Sequence, residues 1–253
     1  MKRGLLWAGV AWLALVCPAV RADGLAELRT TLTRLTAESP LKAAVEVKTW
    51  RRLGDGKDAE VRQGEAAFVF EENARGLQVL YGKDVMARAS VERRAYAKDK
   101  KAQTPVLDGL REMTATDMQE MANAAAGLLR AIDEAAFKGE TADTYNGKPA
   151  RRLGFELSID TLAERDRKYI RHFDTELQVW IAPDGTPLGS RLRSDLSGRA
   201  FVVVGFEQHA NDERSYAVVG DRLLTLRRDD QGRASGAGER QEHRITKSLQ
   251  VQP

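Results

Sequence analysis

The stretch LQVWIAPDGTPLGSRLRSDLSGRAFVVVGF, residues 177–206, decides the fold. From Leu177 to Ile181, apolar residues at every second position alternate with Gln and Trp, which is typical of a half-buried β-strand. The triplet Pro-Asp-Gly at 183–185 follows. Proline presets φ, aspartate hydrogen-bonds to its own backbone and glycine supplies a positive φ, so the triplet predicts a hairpin turn.

A second apolar run extends from Leu188 to Leu196 and breaks at Ser197-Gly198. It resumes from Ala200 to Val204, and the pattern therefore predicts a β-meander. One face of such a sheet is polar and the other is apolar. The apolar face requires a cover from elsewhere in the chain.

The N-terminus has the pattern of a secretory signal peptide. Lys2 and Arg3 precede an apolar run from Leu5 to Val16, and Val-Arg-Ala at 20–22 matches a small-residue cleavage site. The alternative is a retained membrane anchor, but the run has about twelve apolar residues and a bilayer requires roughly 20. We therefore expect residues 1–22 to be removed and residues 23–253 to form one domain in the periplasm.

The only cysteine, Cys17, lies in this leader. A lipoprotein modified at Cys17 is a third alternative, but a lipobox requires a small residue before the cysteine and Val16 occupies that position. Loss of the leader leaves a chain that no disulfide can stabilise, so its core must hold it together.

Removal of residues 1–22 also changes the charge. It takes away Lys2, Arg3 and Arg21 and no acidic residue, so 40 basic and 37 acidic residues become 37 and 37. A nucleic-acid-binding protein is expected to keep a basic excess. The neutral balance therefore argues against nucleic acid as a partner.

The rest of the chain predicts further strands and two more helices. An amphipathic helix is expected at 25–35 and a polar helix at 85–98, whereas Pro105 is expected to end regular structure. Asn211-Asp212 reads as a turn, and the last strand is expected at an edge of the sheet. The predicted strands are 41–52, 60–72, 77–81, 150–159, 169–182, 216–227 and 245–251.

The clearest predicted helix covers residues 114–138. Its apolar residues recur at helical spacing, Thr114 or Thr116 can cap its start, and Gly139 suits its C-terminal end. This helix is the expected cover of the sheet, and each large apolar side chain buried there would contribute about 1.5–3 kcal/mol.

No catalytic pattern is evident. His172, His209 and His243 have no partners at metal-ligand spacing, so neither a zinc site nor another cofactor is expected. Ser235 lies in a glycine-rich segment that matches neither the Gly-x-Ser-x-Gly elbow nor a phosphate-binding loop. We therefore expect a protein that is not an enzyme.

Large apolar side chains on the predicted helix and strands have two interpretations. They form a plain core, or they line a lipid-sized cavity, because flexible methionines beneath a curved sheet do not fill the space completely. The residues predicted to line such a cavity are Phe68, Phe70, Met118, Met121, Leu128, Ile132, Trp180 and Phe201.

The order of elements, together with LQVWIAPDGTPLGSRL at 177–192, resembles the bacterial periplasmic lipoprotein-carrier superfamily, which includes the LolA and LolB type carriers and the RseB type sensors. The hairpin is similar to a strand-turn-strand with a Trp-Ile-x-x-x-Gly core in that group. The resemblance covers essentially residues 23–253. It implies an α+β fold, with a half-barrel of antiparallel strands covered by helices around a cavity for acyl chains.

Three functions follow as expectations. The first is a monomeric, non-enzymatic periplasmic protein that binds a lipid or an acylated ligand between the sheet and helix 114–138. The second is a periplasmic sensor or interaction domain that binds an envelope protein without lipid. The third is an envelope hydrolase, which the sequence favours least because no nucleophile pattern is present.

Overall fold

In the computed structural model, the described residues are 23–36, 39–200 and 204–252. They form an α+β structure in which a single open, curved antiparallel sheet is covered by helices, as a half-barrel fold predicts. The ten strands are β1 (Leu41–Leu53), β2 (Glu60–Asn73), β3 (Gly76–Leu80), β4 (Ala135–Tyr145), β5 (Lys148–Leu157), β6 (Ile170–Ile181), β7 (Pro187–Ala200), β8 (Val204–Val219), β9 (Arg222–Gly236) and β10 (Glu239–Val251).

The helices of the described residues are α1 (Gly24–Arg34), α2 (Lys83–Lys98), α3 (Pro105–Arg111), α4 (Ala115–Ala122), α5 (Ala124–Asp133) and α6 (Glu164–Arg167), with short 3₁₀ turns at Gly56–Asp58 and Ile159–Thr161. The predicted helices at 25–35 and 85–98 are thus confirmed as α1 and α2. In this part of the chain no helix combines the length and the apolar character that a membrane crossing requires. The predicted signal peptide, residues 1–22, lies outside the described residues.

The strand order across the sheet is β3-β2-β1-β10-β9-β8-β7-β6-β5-β4. The hairpin predicted at 183–185 joins β6 to β7 as the sequence indicates. Gly185 has φ +83° and the Thr186 amide donates to the Asp184 carboxylate at 3.0 Å. In β6 the buried residues Leu177, Val179 and Ile181 alternate with less buried ones, so one face of the sheet is covered.

The covering helix differs from the prediction. Residues 114–138 do not form one helix, because α4 ends at Ala122, α5 begins at Ala124, and Ala135 already belongs to β4. Asn123 separates the two helices with φ −143° and ψ 73°, outside the helical region. The apolar periodicity continues across this break because both helices turn an apolar face to the same side of the sheet.

Three other predictions from local sequence are wrong. Strand β7 passes through Ser197-Gly198, where a Cβ on Gly198 would lie 2.0 Å from the Tyr169 carbonyl oxygen, so the glycine allows close packing rather than a turn. Asn211-Asp212 lies within β8, and Asp212 is buried in ion pairs. Pro105 starts α3, since proline fits the first turn of a helix.

The predicted position of the last described strand, β10, is also wrong, and this error changes the strand order of the sheet. Strand β10 does not lie at an edge but pairs with β1 on one side and β9 on the other. The edges of the sheet are β3 and β4. The sequence pattern of β10 could not reveal this, because its two partners are distant from each other in the chain.

Candidate functional site

Six of the eight residues predicted to line a cavity are buried between the sheet and the helices, where they belong to two separate apolar clusters. We name the first the α4 cluster and the second the α5 cluster. Phe68, Phe70, Met118 and Met121 lie in the α4 cluster with residues of β1, β2 and β10. Leu128 and Ile132 lie in the α5 cluster with residues of α1, β5, β6 and β8.

The other two residues do not join these clusters. Trp180 lies on the opposite, uncovered face of β6, where its indole nitrogen donates to the Asp143 carboxylate at 3.0 Å and Arg191 stacks 5.6 Å from its ring. Trp180 stands between the buried Val179 and Ile181, and successive side chains of a strand point to opposite faces, so the sequence already indicated that Trp180 points away from the core. Phe201 lies outside the described residues.

The two clusters meet where β9 and β10 diverge. The pairing of β9 with β10 ends at Arg227 and Ser248, whereas β10 continues along β1 to Val251. The first residues of β9, from Arg222 to Thr225, are all buried, and Thr36 forms an isolated bridge with Arg222. We call the site formed by Glu72, Ala122, Asn123, Arg222, Leu223 and Leu224 the seam.

Arg222 provides a buried charge at the seam, with a residue exposure of only 2%. Its Nη1 donates to the Glu72 carboxylate and, at 3.4 Å, to the carbonyl oxygen of Ala122, the last residue of α4. A cation at this position also interacts favourably with the partial negative charge of the helix C-terminus. Arg222 thereby joins the end of α4 to β2 and β9.

Three polar atoms at the seam lack a partner. Among the described residues, five buried side-chain nitrogen or oxygen atoms have no hydrogen bond, and three of them are Arg222 Nε, Arg222 Nη2 and Asn123 Oδ1. Each such atom costs about 1–3 kcal/mol of desolvation that no bond offsets. A concentration of this kind requires an explanation, such as a bound molecule that supplies the partners.

A polar network fixes α4 at its other end. Thr114 and Asp117 form a capping box, and the Asp117 carboxylate also accepts from Lys247 Nζ at 2.7 Å. Burial acts to raise the pKa of Asp117, but hydrogen bonds from Lys247 and Thr114 outweigh it and hold the pKa below its ordinary value. Arg228 lies 3.7 Å from Asp117 and 2.9 Å from Asp212. These groups border a cleft of about 390 Å³.

The uncovered face of the sheet has two clefts, each with a stacked Trp–Arg pair. In one, of about 520 Å³, the Arg244 guanidinium lies 5.2 Å from the ring centre of Trp50. The other, of about 570 Å³, contains Trp180 and Arg191. Most charges here are paired across strands, as Arg191 is with Glu213 at 2.9 Å. The face can therefore bind polar or planar groups.

The histidines do not form a metal site. His209 bonds to Asp195, whose pKa this contact lowers, and His243 lies 3.4 Å from Asp230. Within residues 23–36, 39–200 and 204–252, no group of three or more His, Cys, Asp or Glu side chains could hold a metal ion. The hydrogen bonds of this part of the chain do not connect His209 to a hydroxyl group, as a nucleophile-activating base would require.

Sequence reasoning missed Arg222, Asn123 and Glu72. Arg222 follows Gly220-Asp221 and reads as a solvated turn residue, because a single arginine beside a turn gives no signal of burial. Asn123 interrupts an apolar helical pattern and was the one available signal of the break. Arg222, Asn123 and Glu72 come together only through contacts between distant parts of the chain, so local sequence could not identify them as one site.

Comparisons with known proteins assign no family. The likeness to the lipoprotein-carrier superfamily consequently remains a prediction from one hairpin and the order of elements. No protein-family model, curated protein or solved structure matches this chain.

Proposed function

We propose that this chain is a non-catalytic periplasmic protein that binds an acylated ligand with an anionic head group at the seam. The observation that supports it best is the pair of unpartnered donors on Arg222, a residue that is 2% exposed between two apolar clusters. A fatty acid or an acyl phosphate offers both an acceptor and an apolar chain. The proposal thus accounts for the unpaired polar atoms and for the apolar surroundings together.

The chemistry of the guanidinium favours an anion. Nε and Nη2 share one edge of its plane, and that edge matches the two oxygens of a carboxylate or phosphate in a bidentate pair. The remaining nitrogen, Nη1, is already engaged with Glu72 and Ala122. A head group would therefore bind Arg222 without displacing its existing contacts.

The acyl chain would lie beside Leu223 and Leu224, which face the α5 and α4 clusters respectively. Because Asn123 is not helical, α4 can shift relative to α5 with small changes in backbone angles at this one residue. Met118 and Met121 on α4 have flexible side chains that adapt to a bound chain. Uptake would then separate the two apolar clusters at the seam.

The test is organic extraction of the protein, purified after export under its own N-terminal segment, followed by mass spectrometry. We expect an acyl anion near one equivalent per chain. Arg222→Met should lose most of it, and Arg222→Lys should retain an intermediate amount because lysine keeps the charge without the bidentate edge. Arg151→Met is the matched control, since Arg151 is a partly buried arginine that pairs with Glu27 and Glu140 away from the seam.

Two results would contradict the proposal. One is an empty extract combined with no binding of a fluorescent fatty acid. The other is ligand retention by Arg222→Met equal to that of Arg151→Met. Circular dichroism of each variant distinguishes loss of ligand from loss of fold.

A second candidate is an envelope sensor or interaction domain, which the Trp–Arg clefts of the uncovered face favour. Tryptophan and arginine are enriched at the energetic centres of protein interfaces. In that case a pull-down from envelope extract should recover one stoichiometric partner, and Trp50→Ala should release it while Arg222→Met does not. Recovery of lipid without a partner would reject this candidate.

A further inference from the structure

Helix α2 is attached to the rest of the molecule along one narrow stripe. Val85 and Ala89 are buried against Val106 of α3. One turn further, the Glu92 carboxylate accepts from the Val106 amide at 3.1 Å and the Leu107 amide at 2.9 Å, and so caps the start of α3. The stripe fixes the orientation of α2 and leaves its other sides in solvent.

Positive charge is concentrated on this helix and the residues after it. Residues 83–101 contain seven Lys or Arg and three Asp or Glu, although residues 23–253 as a whole are neutral. With about 100° per residue, Lys83, Arg94 and Lys98 point roughly opposite to Val85. The outward side of α2 is therefore cationic, and one of its few acids, Glu92, faces inward.

Apolar side chains are exposed at the same place. Leu80 is 47% exposed, Tyr81 43%, Met86 49% and Val91 57%. These four residues, within twelve positions, are four of the nine large apolar residues that are exposed in the described part of the chain. Apolar groups gathered on a surface indicate a contact with another body.

We propose that α2 and the end of β3 dock the protein on an anionic phospholipid surface. A helix that combines lysine and arginine with exposed apolar residues lies in the plane of a membrane interface, where each basic residue near an anionic surface contributes about fivefold in affinity. Charge complementarity favours anionic lipid, and the interleaved Met86 and Val91 favour a lipid surface over a purely acidic polymer. The chain binds the membrane surface without crossing it.

This docking surface uses different residues from the seam, so the two proposals can fail separately. Reversal of charge on α2 should abolish vesicle binding and leave the extracted ligand unchanged. Arg222→Met should do the opposite. If one variant removed both properties at once, the docking surface would not be independent of the ligand site as we propose.

The experiment is flotation of the exported, purified protein with vesicles. We expect binding to phosphatidylcholine vesicles that contain phosphatidylglycerol and much less binding to phosphatidylcholine alone. Raising the ionic strength from about 0.05 to about 0.5 M should weaken it, because the Debye length shortens. The triple variant K83E/R94E/K98E should bind on the order of 100-fold more weakly, the product of three fivefold effects.

The matched control is K57E/R75E/K148E, which changes the net charge equally at exposed positions away from α2. It should bind nearly as well as the unaltered protein. Val91→Asp should reduce the binding that survives at high salt. Equal losses in both triple variants, equal binding to both kinds of vesicle, or preference for polyglutamate over anionic vesicles would overturn the proposal.

Discussion

Leu223 and Leu224 are adjacent in β9 and both fully buried, yet they pack into different apolar clusters. Leu223 contacts the α5 cluster and Leu224 the α4 cluster. Two neighbouring strand residues normally point to opposite faces of a sheet, but at the start of β9 both are buried, each in a different cluster. The start of β9 thus separates two regions that the helices cover independently.

Truncation of either leucine should destabilise the protein in a different region. We expect Leu223→Ala and Leu224→Ala each to cost about 2–5 kcal/mol, because each leaves a cavity in a packed cluster. Hydrogen exchange should then accelerate in α5, β5 and β6 for the first variant and in α4, β1 and β2 for the second. The same pattern of exchange in both variants would show that the clusters open as one unit.

The Asp117–Lys247 pair should make stability depend on acid pH. Because the folded-state pKa of Asp117 lies below its ordinary value of 3.8, its contribution is complete above about pH 4 and is lost as the pH falls below that value. Asp117→Asn should lower the free energy of unfolding at pH 7 by about 3 kcal/mol, since Lys247 would remain buried without a charged partner.

Chemical denaturation between pH 2 and pH 7 measures this contribution. The difference between the parent and Asp117→Asn should shrink towards acid pH. Adding Lys247→Met to Asp117→Asn removes the unpaired charge and should restore most of the loss. A difference that stays constant with pH would be inconsistent with the ion pair.

The unpartnered amide of Asn123 should cost stability when no ligand is bound. Asn123→Leu has a similar shape and removes the buried polar atom, so the ligand-free protein should gain about 1 kcal/mol. Asn123→Asp is the contrasting variant and should not show this gain, because its carboxylate keeps a polar group at the buried position. A loss of stability in Asn123→Leu would indicate that bound water already satisfies this amide.

Export should remove the leader after Ala22. Intact-mass measurement of protein recovered from the periplasm should give a chain that begins at Asp23. Ala22→Arg, which replaces the small residue before the cut, should leave the leader attached and retain the chain at the membrane. A product that still contained Cys17 with acyl groups would instead identify a lipoprotein.

The sequence predicted best what depends on neighbouring residues. Gly185 has the positive φ expected of it, and the buried positions of β6 follow from the alternation of Leu177, Val179 and Ile181. The same alternation places Trp180 on the uncovered face. The prediction that Trp180 lines the cavity followed instead from its large apolar side chain. The sequence predicted least well what depends on distant partners, such as the burial of Arg222 by Glu72 and Ala122.

The antiparallel neighbours β1 and β10 lie inside the sheet and begin almost two hundred residues apart. Their contact can form only after β10 has been synthesised, so the sheet cannot be completed while the chain is still growing. Removal of β10 would expose the inner edges of β1 and β9 and divide the sheet into a part of three strands, β3-β2-β1, and a part of six, from β9 to β4. A nonsense mutation late in the gene would therefore yield two separate partial sheets with open hydrogen-bonding edges, which are prone to aggregation and proteolysis.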